Sequence, residues 1–302
     1  MPAASLRALL AHTIDYAGLF PPAELALEPA LQNHAAYLRS AERWMLGAFI
    51  LPVGKFAEAR EQLAAFDAEH PLEVSALGPK TTKPAEFRRA LENVAEAIKD
   101  FHNGHKGVVS IRQFEMPLPA GPVAESLGVA RATLGDLSLN VFWEAPHEAA
   151  EATIEALSGS GAGFKLRTGG VTADTFPDEG QIARTLVTAA RHRVPIKFTA
   201  GLHHPVRLFH ESVGTKMHGF LNVLGAGVLA AEHRWSVAQT QEMLAEEDGD
   251  SFAFDDEMMR WRDWKISTAQ IAARRHLVTS LGSCSFDEPR DDLRALGLFE
   301  KP

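Results

Sequence analysis

GFKLRTGGVTADTFPDEGQIARTLVTAARHRVPIKFTAGLHHP, residues 163–205, reads as strand, helix, strand. Gly163–Arg167 and Ile196–Ala200 are short runs in which apolar and polar residues alternate, and Asp178–His192 between them has helical spacing. Two strands joined through one helix lie parallel, with a right-handed crossover. The period of two places Lys165 and Arg167 on one face of the first strand, with Phe164 and Leu166 on the other. In the second strand Lys197 and Thr199 share a face, and Ile196 and Phe198 the opposite one. The apolar faces suit a covering layer of helices, so the three cations point the other way.

The same unit recurs outward along the chain. Strand-like runs stand at Thr13–Phe20, Met45–Leu51, Leu72–Leu77, Val108–Phe114, Leu139–Trp143 and Phe220–Leu224, with helical stretches such as Phe56–His70, Ala85–Phe101 and His147–Leu157 between them. Ala85–Phe101 puts Phe87, Leu91, Val94, Ala95 and Ile98 on one face, and Pro84 and Pro146 stand where a helix starts without losing a hydrogen bond. Eight strands at a spacing of about 30 residues predict a single (β/α)8 TIM barrel, an α/β fold. A doubly wound open sheet fits less well, because no Gly-x-Gly-x-x-Gly turn follows the first strand. Several runs end in Pro, Gly or a charged residue, which marks the C-terminal strand ends where a barrel builds its site. By this count residues 1–232 form the barrel and residues 233–302 a helical C-terminal extension packed on it. The extension holds a helix after Trp235, acidic runs at Glu246–Asp250 and Asp255–Glu257, and a long helix over Glu257–Leu281. It serves either as a cap or as a dimerisation element, so a homo-oligomer is one expectation.

Composition narrows the function classes. The 302 residues carry a formal charge of −9, with 46% hydrophobic and 23% charged residues, which fits a globular chain rather than a disordered one. The absence of a basic tract argues against nucleic acid as a partner. The apolar runs Trp44–Gly54 and Phe220–Ala231 fall short of the roughly 20 residues that span a bilayer, so no membrane partner is expected. Cys284 is the single cysteine, which rules out an internal disulfide and a Cys-rich zinc site. With no secretory signal at the N-terminus, the expected setting is cytoplasmic.

Lys165 and Lys197 lie on adjacent strands, about 4.8 Å apart. Like charge and a low-dielectric wall would lower a lysine pKa toward neutrality, giving the amine that Schiff-base chemistry needs. The alternative is an ion pair of these lysines with Glu115 or Glu144.

Here the sequence resembles the deoxyribose-phosphate aldolase group of class I aldolases. The resemblance rests on Lys165-Leu166-Arg167-Thr168-Gly169 and on Ile196-Lys197-Phe198-Thr199-Ala200-Gly201. Echoes in matching order are His12-Thr13-Ile14-Asp15, Val141-Phe142-Trp143-Glu144 and Leu224-Gly225-Ala226-Gly227-Val228-Leu229, so that it spans roughly residues 12 to 230. It implies a Schiff base at Lys165, with Lys197 as the neighbouring cation, and a small-residue phosphate loop around Gly225 and Gly227. The family's fourth strand carries an Asp that this chain lacks, and Glu115 at the strand tip is the stand-in. Arg167 replaces a small residue, and the His203-His204 pair is foreign to the family, so the substrate is expected to be a small anionic carbonyl compound other than deoxyribose phosphate.

The expected catalytic set is thus Lys165, Lys197, Glu144, His203 and Glu115. Arg167, Thr168, Asp15, His204, Asn222, Gly225 and Gly227 are expected to hold the substrate or its anion. His203 and His204 are either acid/base groups or loop histidines, with at most one facing the pocket. Lys80 either adds positive potential or is a solvated loop residue. No metal or organic cofactor is expected, and Cys284 is read as a packing residue on a helical tail. The expected activity is a Schiff-base lyase or aldolase. The alternatives are a non-covalent isomerase or hydrolase, with or without a metal, and a silent barrel that binds a metabolite.

Overall fold

The computed structural model describes residues 1–299. After helix α1 (Ala4–Leu10), strands and helices alternate: β1 (Ile14–Tyr16), α2 (Leu27–Tyr37), β2 (Leu46–Pro52), α3 (Phe56–Arg60), β3 (Leu72–Leu77), α4 (Pro84–Gly104), β4 (Val109–Pro117), α5 (Val123–Leu134), β5 (Asn140–Glu144), α6 (Ala150–Leu157), β6 (Gly163–Arg167), α7 (Glu179–His192) and β7 (Ile196–Thr199). A small antiparallel hairpin follows, β8 (Leu208–His210) and β9 (Thr215–Met217), and then α8 (Phe220–His233) and α9 (Val237–Leu244). The remainder holds the antiparallel sheet β10 (Phe252–Phe254), β11 (Met258–Trp261) and β12 (Trp264–Ser267), helix α10 (Thr268–Arg274), strand β13 (Val278–Ser283) and helix α11 (Asp287–Ala295). Eight parallel strands close a barrel in the order β1-β13-β7-β6-β5-β4-β3-β2. The protein is a (β/α)8 TIM barrel.

The alternation read from the sequence holds in β6 and β7. Phe164, Leu166, Ile196 and Phe198 are at most 1% exposed beneath the helices, while Lys165 pairs in register with Lys197 on the inner face. Local signals set the helix starts. Pro84 occupies the first turn of α4, and α7 begins with a capping box in which Asp178 and Gln181 satisfy each other's backbone N–H groups.

The eighth strand is not where the sequence placed it. Phe220–Leu224 is the first part of the buried helix α8, and β13, in the segment assigned to the extension, closes the barrel between β7 and β1. A helix that is apolar on every side has no periodicity to separate it from a buried strand. Gly225 and Gly227 serve this packing: a Cβ on Gly225 would lie 2.5 Å from Met243, and one on Gly227 2.7 Å from Val278 of β13. They therefore form no phosphate loop. The expected long helix over Glu257–Leu281 is instead two strands, one short helix and β13. The alternation in Met258–Trp261 and Trp264–Ser267 is strand-like, and Arg262 makes the tight turn between them with φ of +51°.

One core residue ties this packing to pH. His34 of α2 is fully buried among Tyr16, Phe49 and Phe66, and neither ring nitrogen has a hydrogen-bond partner. Burial pushes its pKa from 6.5 down to about 3. Unfolded chains therefore take up a proton below about pH 6.5 that the folded chain refuses. This destabilises the fold by about 1.4 kcal/mol for each pH unit of further acidification. Urea unfolding of the wild type and His34→Phe between pH 7 and pH 5 should show the wild type losing stability more steeply. Parallel pH profiles would contradict the assignment.

Candidate active site

The inner face of the barrel carries a run of alternating charges from the closed interior to the C-terminal rim. Deepest is Lys197, 0% exposed, with its Nζ 2.6 Å from Asp15 Oδ2 and 2.7 Å from Glu115 Oε1. It also donates to Gln113 Oε1 at 3.0 Å and Ser75 Oγ at 3.3 Å. The other oxygen of Glu115 lies 2.9 Å from Lys165 Nζ, which in turn sits 3.1 Å from Glu144 Oε2. Arg167 Nη1 is 4.0 Å from the second Glu144 oxygen, and its side chain is half exposed. The order is Asp15, Lys197, Glu115, Lys165, Glu144, Arg167, with each carboxylate between or beside cations.

Strand geometry explains the run. Glu144, Lys165 and Lys197 stand opposite one another across β5, β6 and β7. Glu115 comes from β4, next to β5, and Asp15 from β1, which only β13 separates from β7, so these carboxylates close on the lysines from both flanks. Backbone and hydroxyl donors complete the deep end. Ala48 N–H donates to Asp15 Oδ1 at 2.7 Å, Ser280 to Asp15 Oδ2 at 2.8 Å, and Ser75 to Glu115 Oε1 at 2.6 Å. Ser280 belongs to β13, so the true eighth strand contributes to the site. Gly47 keeps this approach open, because a Cβ there would overlap Asp15 Oδ1.

The expectation of a lowered lysine pKa is overturned. Burial alone would push Lys165 and Lys197 down, but the carboxylates beside them more than offset it, and both pKa values are raised above 10.5. Burial likewise opposes charge on Glu115, yet the two lysines hold its carboxyl well below the usual range. Attraction between adjacent opposite charges outweighs the lysine–lysine repulsion on which the lowered value depended.

The remaining expected residues divide by position. Asp15 is fully buried against Lys197 and is not at a substrate-contacting surface. Thr168 is also buried, its hydroxyl donating to Ala200 O at 2.6 Å, so it fastens β6 to β7. Asn222 lies in α8, donating to Met243 O and Glu246 O and accepting from Arg207 N–H, which makes it a tie between α8, α9 and the hairpin. Lys80 is exposed after β3. His203 and His204 follow β7 and both turn to α11: His203 Nδ1 lies 3.0 Å from Glu288, and His204 Nδ1 2.6 Å from Asp292. Burial opposes charge on His203, but hydrogen bonds to Cys284 and Glu288 raise its pKa to about 9. Cys284 is not on a helical tail. It directly follows β13 at the C-terminal rim, with Sγ 3.9 Å from His203 Nδ1.

Sequence reasoning missed Gln113, Ser75 and Ser280, which look like ordinary polar strand residues until the register is known. It also missed His147, three residues beyond Glu144 at a strand tip. Both ring nitrogens of His147 are buried without a partner, and burial, with Arg167 nearby, lowers its pKa. Among the described residues, no group of three or more His, Cys, Asp or Glu is placed to hold a metal ion, and no helix is long and apolar enough to cross a membrane.

No protein-family model and no curated protein sequence matches the chain. Among solved structures it is similar to a malate synthase from Haloferax volcanii in complex with magnesium and glyoxylate, at 12% identity and a TM-score of 0.43, over 88% of this chain and 75% of that one. It is also similar to a dihydrodipicolinate synthase from Thermotoga maritima, at 13% identity and a TM-score of 0.40, over 96% of this chain and all of that one.

The ion run makes a stability prediction. Lys197→Met leaves Asp15 and Glu115 buried without their shared cation and should cost about 3–5 kcal/mol. Lys165→Met should cost distinctly less, because Glu115 keeps Lys197 and Glu144 reaches solvent. Chemical denaturation of the two variants checks this order, and equal or reversed losses would contradict it.

Proposed function

We propose that this barrel is a Schiff-base lyase or aldolase for a small anionic carbonyl compound, with Lys165 as the nucleophile. The observation that carries this reading is the placement of Lys165. Its side chain is 7% exposed in the outer half of the ion run, with a carboxylate on either side, whereas Lys197 is sealed beneath it. The resemblance in the two lysine motifs supports the same assignment.

In the resting protein Lys165 is an ammonium group, so the reaction begins with a proton transfer. Glu144, the more exposed of its two carboxylates, takes a proton from Nζ when the substrate carbonyl arrives. The neutral amine adds to the carbonyl carbon to give a carbinolamine. Glu144 returns the proton to the oxygen, and water leaves to form the iminium. The iminium then accepts the electron pair of the breaking carbon–carbon bond as an enamine, while a base removes the proton of the β-hydroxyl group and an aldehyde departs. Protonation of the enamine carbon and hydrolysis restore Lys165. Glu115 stays ionised between the lysines and holds Lys165 in place. Arg167, whose side chain is half exposed, pairs with the substrate's anionic group. His147 and Glu144 are the proton carriers nearest the rim.

The raised lysine pKa values favour a second reading, in which Lys165 stays an ammonium group and polarises an oxygen without a covalent bond. Borohydride trapping with a panel of small aldehydes and 2-oxo acids, followed by peptide mass spectrometry, separates the two. An adduct at Lys165 is expected, lost in Lys165→Met and slowed about a hundredfold in Glu144→Gln. Turnover with no adduct across the panel, or an adduct at Lys197 instead, would overturn the Schiff-base assignment.

A further inference from the structure

A cavity of about 850 Å³ opens at the opposite end of the barrel, away from Lys165. Its walls are the C-terminal ends of α7 and α8 and the connection from α10 to β13. Both helices run antiparallel to the strands, so this is the N-terminal face, where barrel enzymes do not place their chemistry.

The lining is strongly cationic in a chain of charge −9. Arg191, Arg193, Arg234 and Arg274 face the cavity together with one carboxylate, Glu232. Glu232 is already spent, accepting from Arg274 Nε at 2.7 Å and from Gln270 Nε2 at 2.7 Å. Arg191, Arg193 and Arg234 make no side-chain hydrogen bond or ion pair among the described residues. Trp235 also lines the cavity. It is 3% exposed, and its indole N–H is buried without a partner. The cavity thus gathers side-chain donors and positive charge, and its lining offers no free carboxylate to match them.

The backbone adds an independent sign. Arg193 and Arg234 cap α7 and α8 in the left-handed conformation, with φ of +53° and +55°. Glycine is the residue that occupies this position without strain. The helix dipole does not require arginine there, since Arg191 and His192 already stand in the last turn of α7 and His233 in that of α8.

We propose that this cavity is a second ligand site, separate from the active site, for a compact polyanion made of linked phosphate groups. Guanidinium groups present paired N–H donors that match phosphate oxygens, and three of them spread around one cavity suit a chain of charges rather than a single one. The volume lies within the range of small-ligand pockets and accommodates either a free polyphosphate or the phosphate tail of a nucleotide.

Isothermal titration of the full chain with sodium tripolyphosphate at constant ionic strength, with sodium sulfate as control, tests the site. One saturable site is expected, with sulfate bound far more weakly. Arg193→Gly/Arg234→Gly should weaken tripolyphosphate by at least about tenfold. Its thermal midpoint should not fall, because glycine suits both caps. Lys165→Met should bind as the wild type does, which separates this proposal from the catalytic one. A parallel titration with ATP identifies the source: tighter binding than tripolyphosphate points to a nucleotide, weaker binding to a free polyphosphate, each lost in the double variant. No saturable binding of either compound, or equal affinity in the wild type and the double variant, would overturn the proposal.

Discussion

Glu115 holds the centre of the barrel together electrostatically. One of its oxygens lies 2.7 Å from the Lys197 ammonium and the other 2.9 Å from that of Lys165. Two buried cations on neighbouring strands would otherwise repel each other across a low-dielectric interior. With Glu115 between them, and Asp15 and Glu144 at the two ends, every charge has an opposite neighbour and burial becomes tolerable. The strand register follows from this as much as from backbone pairing, because a slip of one residue would turn each charge into the helix layer. The ion run also grades accessibility. Its inner end is sealed and saturated by hydroxyl and backbone donors, and its outer end reaches the rim, where Arg167 is the cation with the loosest pairing.

Much of this was legible in the sequence because it depends on local periodicity. Seven barrel strands, the inward direction of Lys165, Lys197 and Arg167, and the importance of Glu115 and Glu144 all follow from alternation and from polar residues near strand ends. The eighth strand was not legible. The helix Phe220–His233 is buried on every face through Ala230, with Asn222 as its one polar side chain there, and imitates a strand, while Val278–Ser283 is modest in hydrophobicity and lies beyond a small inserted sheet. That one displacement carried Asn222, Gly225 and Gly227 into a site to which they do not belong, and it put Cys284 in the wrong part of the molecule. The sign of the lysine pKa shift was also out of reach. It depends on which carboxylates the barrel closure brings to the lysines, and such pairings span 82 residues for Lys197 and Glu115 and 182 for Lys197 and Asp15.

The two ends of the barrel differ in how they manage charge. At the C-terminal end cations are matched by carboxylates, and reactivity calls for a substrate that disturbs a balanced pair. At the N-terminal end three arginines stand unmatched around a cavity, which is the pattern of a site awaiting an anion. The two cationic groups thus differ, one being compensated by carboxylates within the fold and the other not.

The central claim is that the carboxylates keep both interior lysines protonated in the free protein. Heteronuclear NMR of ¹⁵N,¹³C-lysine-labelled protein, assigned with the Lys165→Met and Lys197→Met variants, follows each side chain's titration directly. Both should remain ammonium groups through neutral pH and titrate above 10.5, the ordinary lysine value. A lysine that loses its proton near pH 7 would contradict the account and restore the repulsion-dominated pocket that the sequence alone suggested.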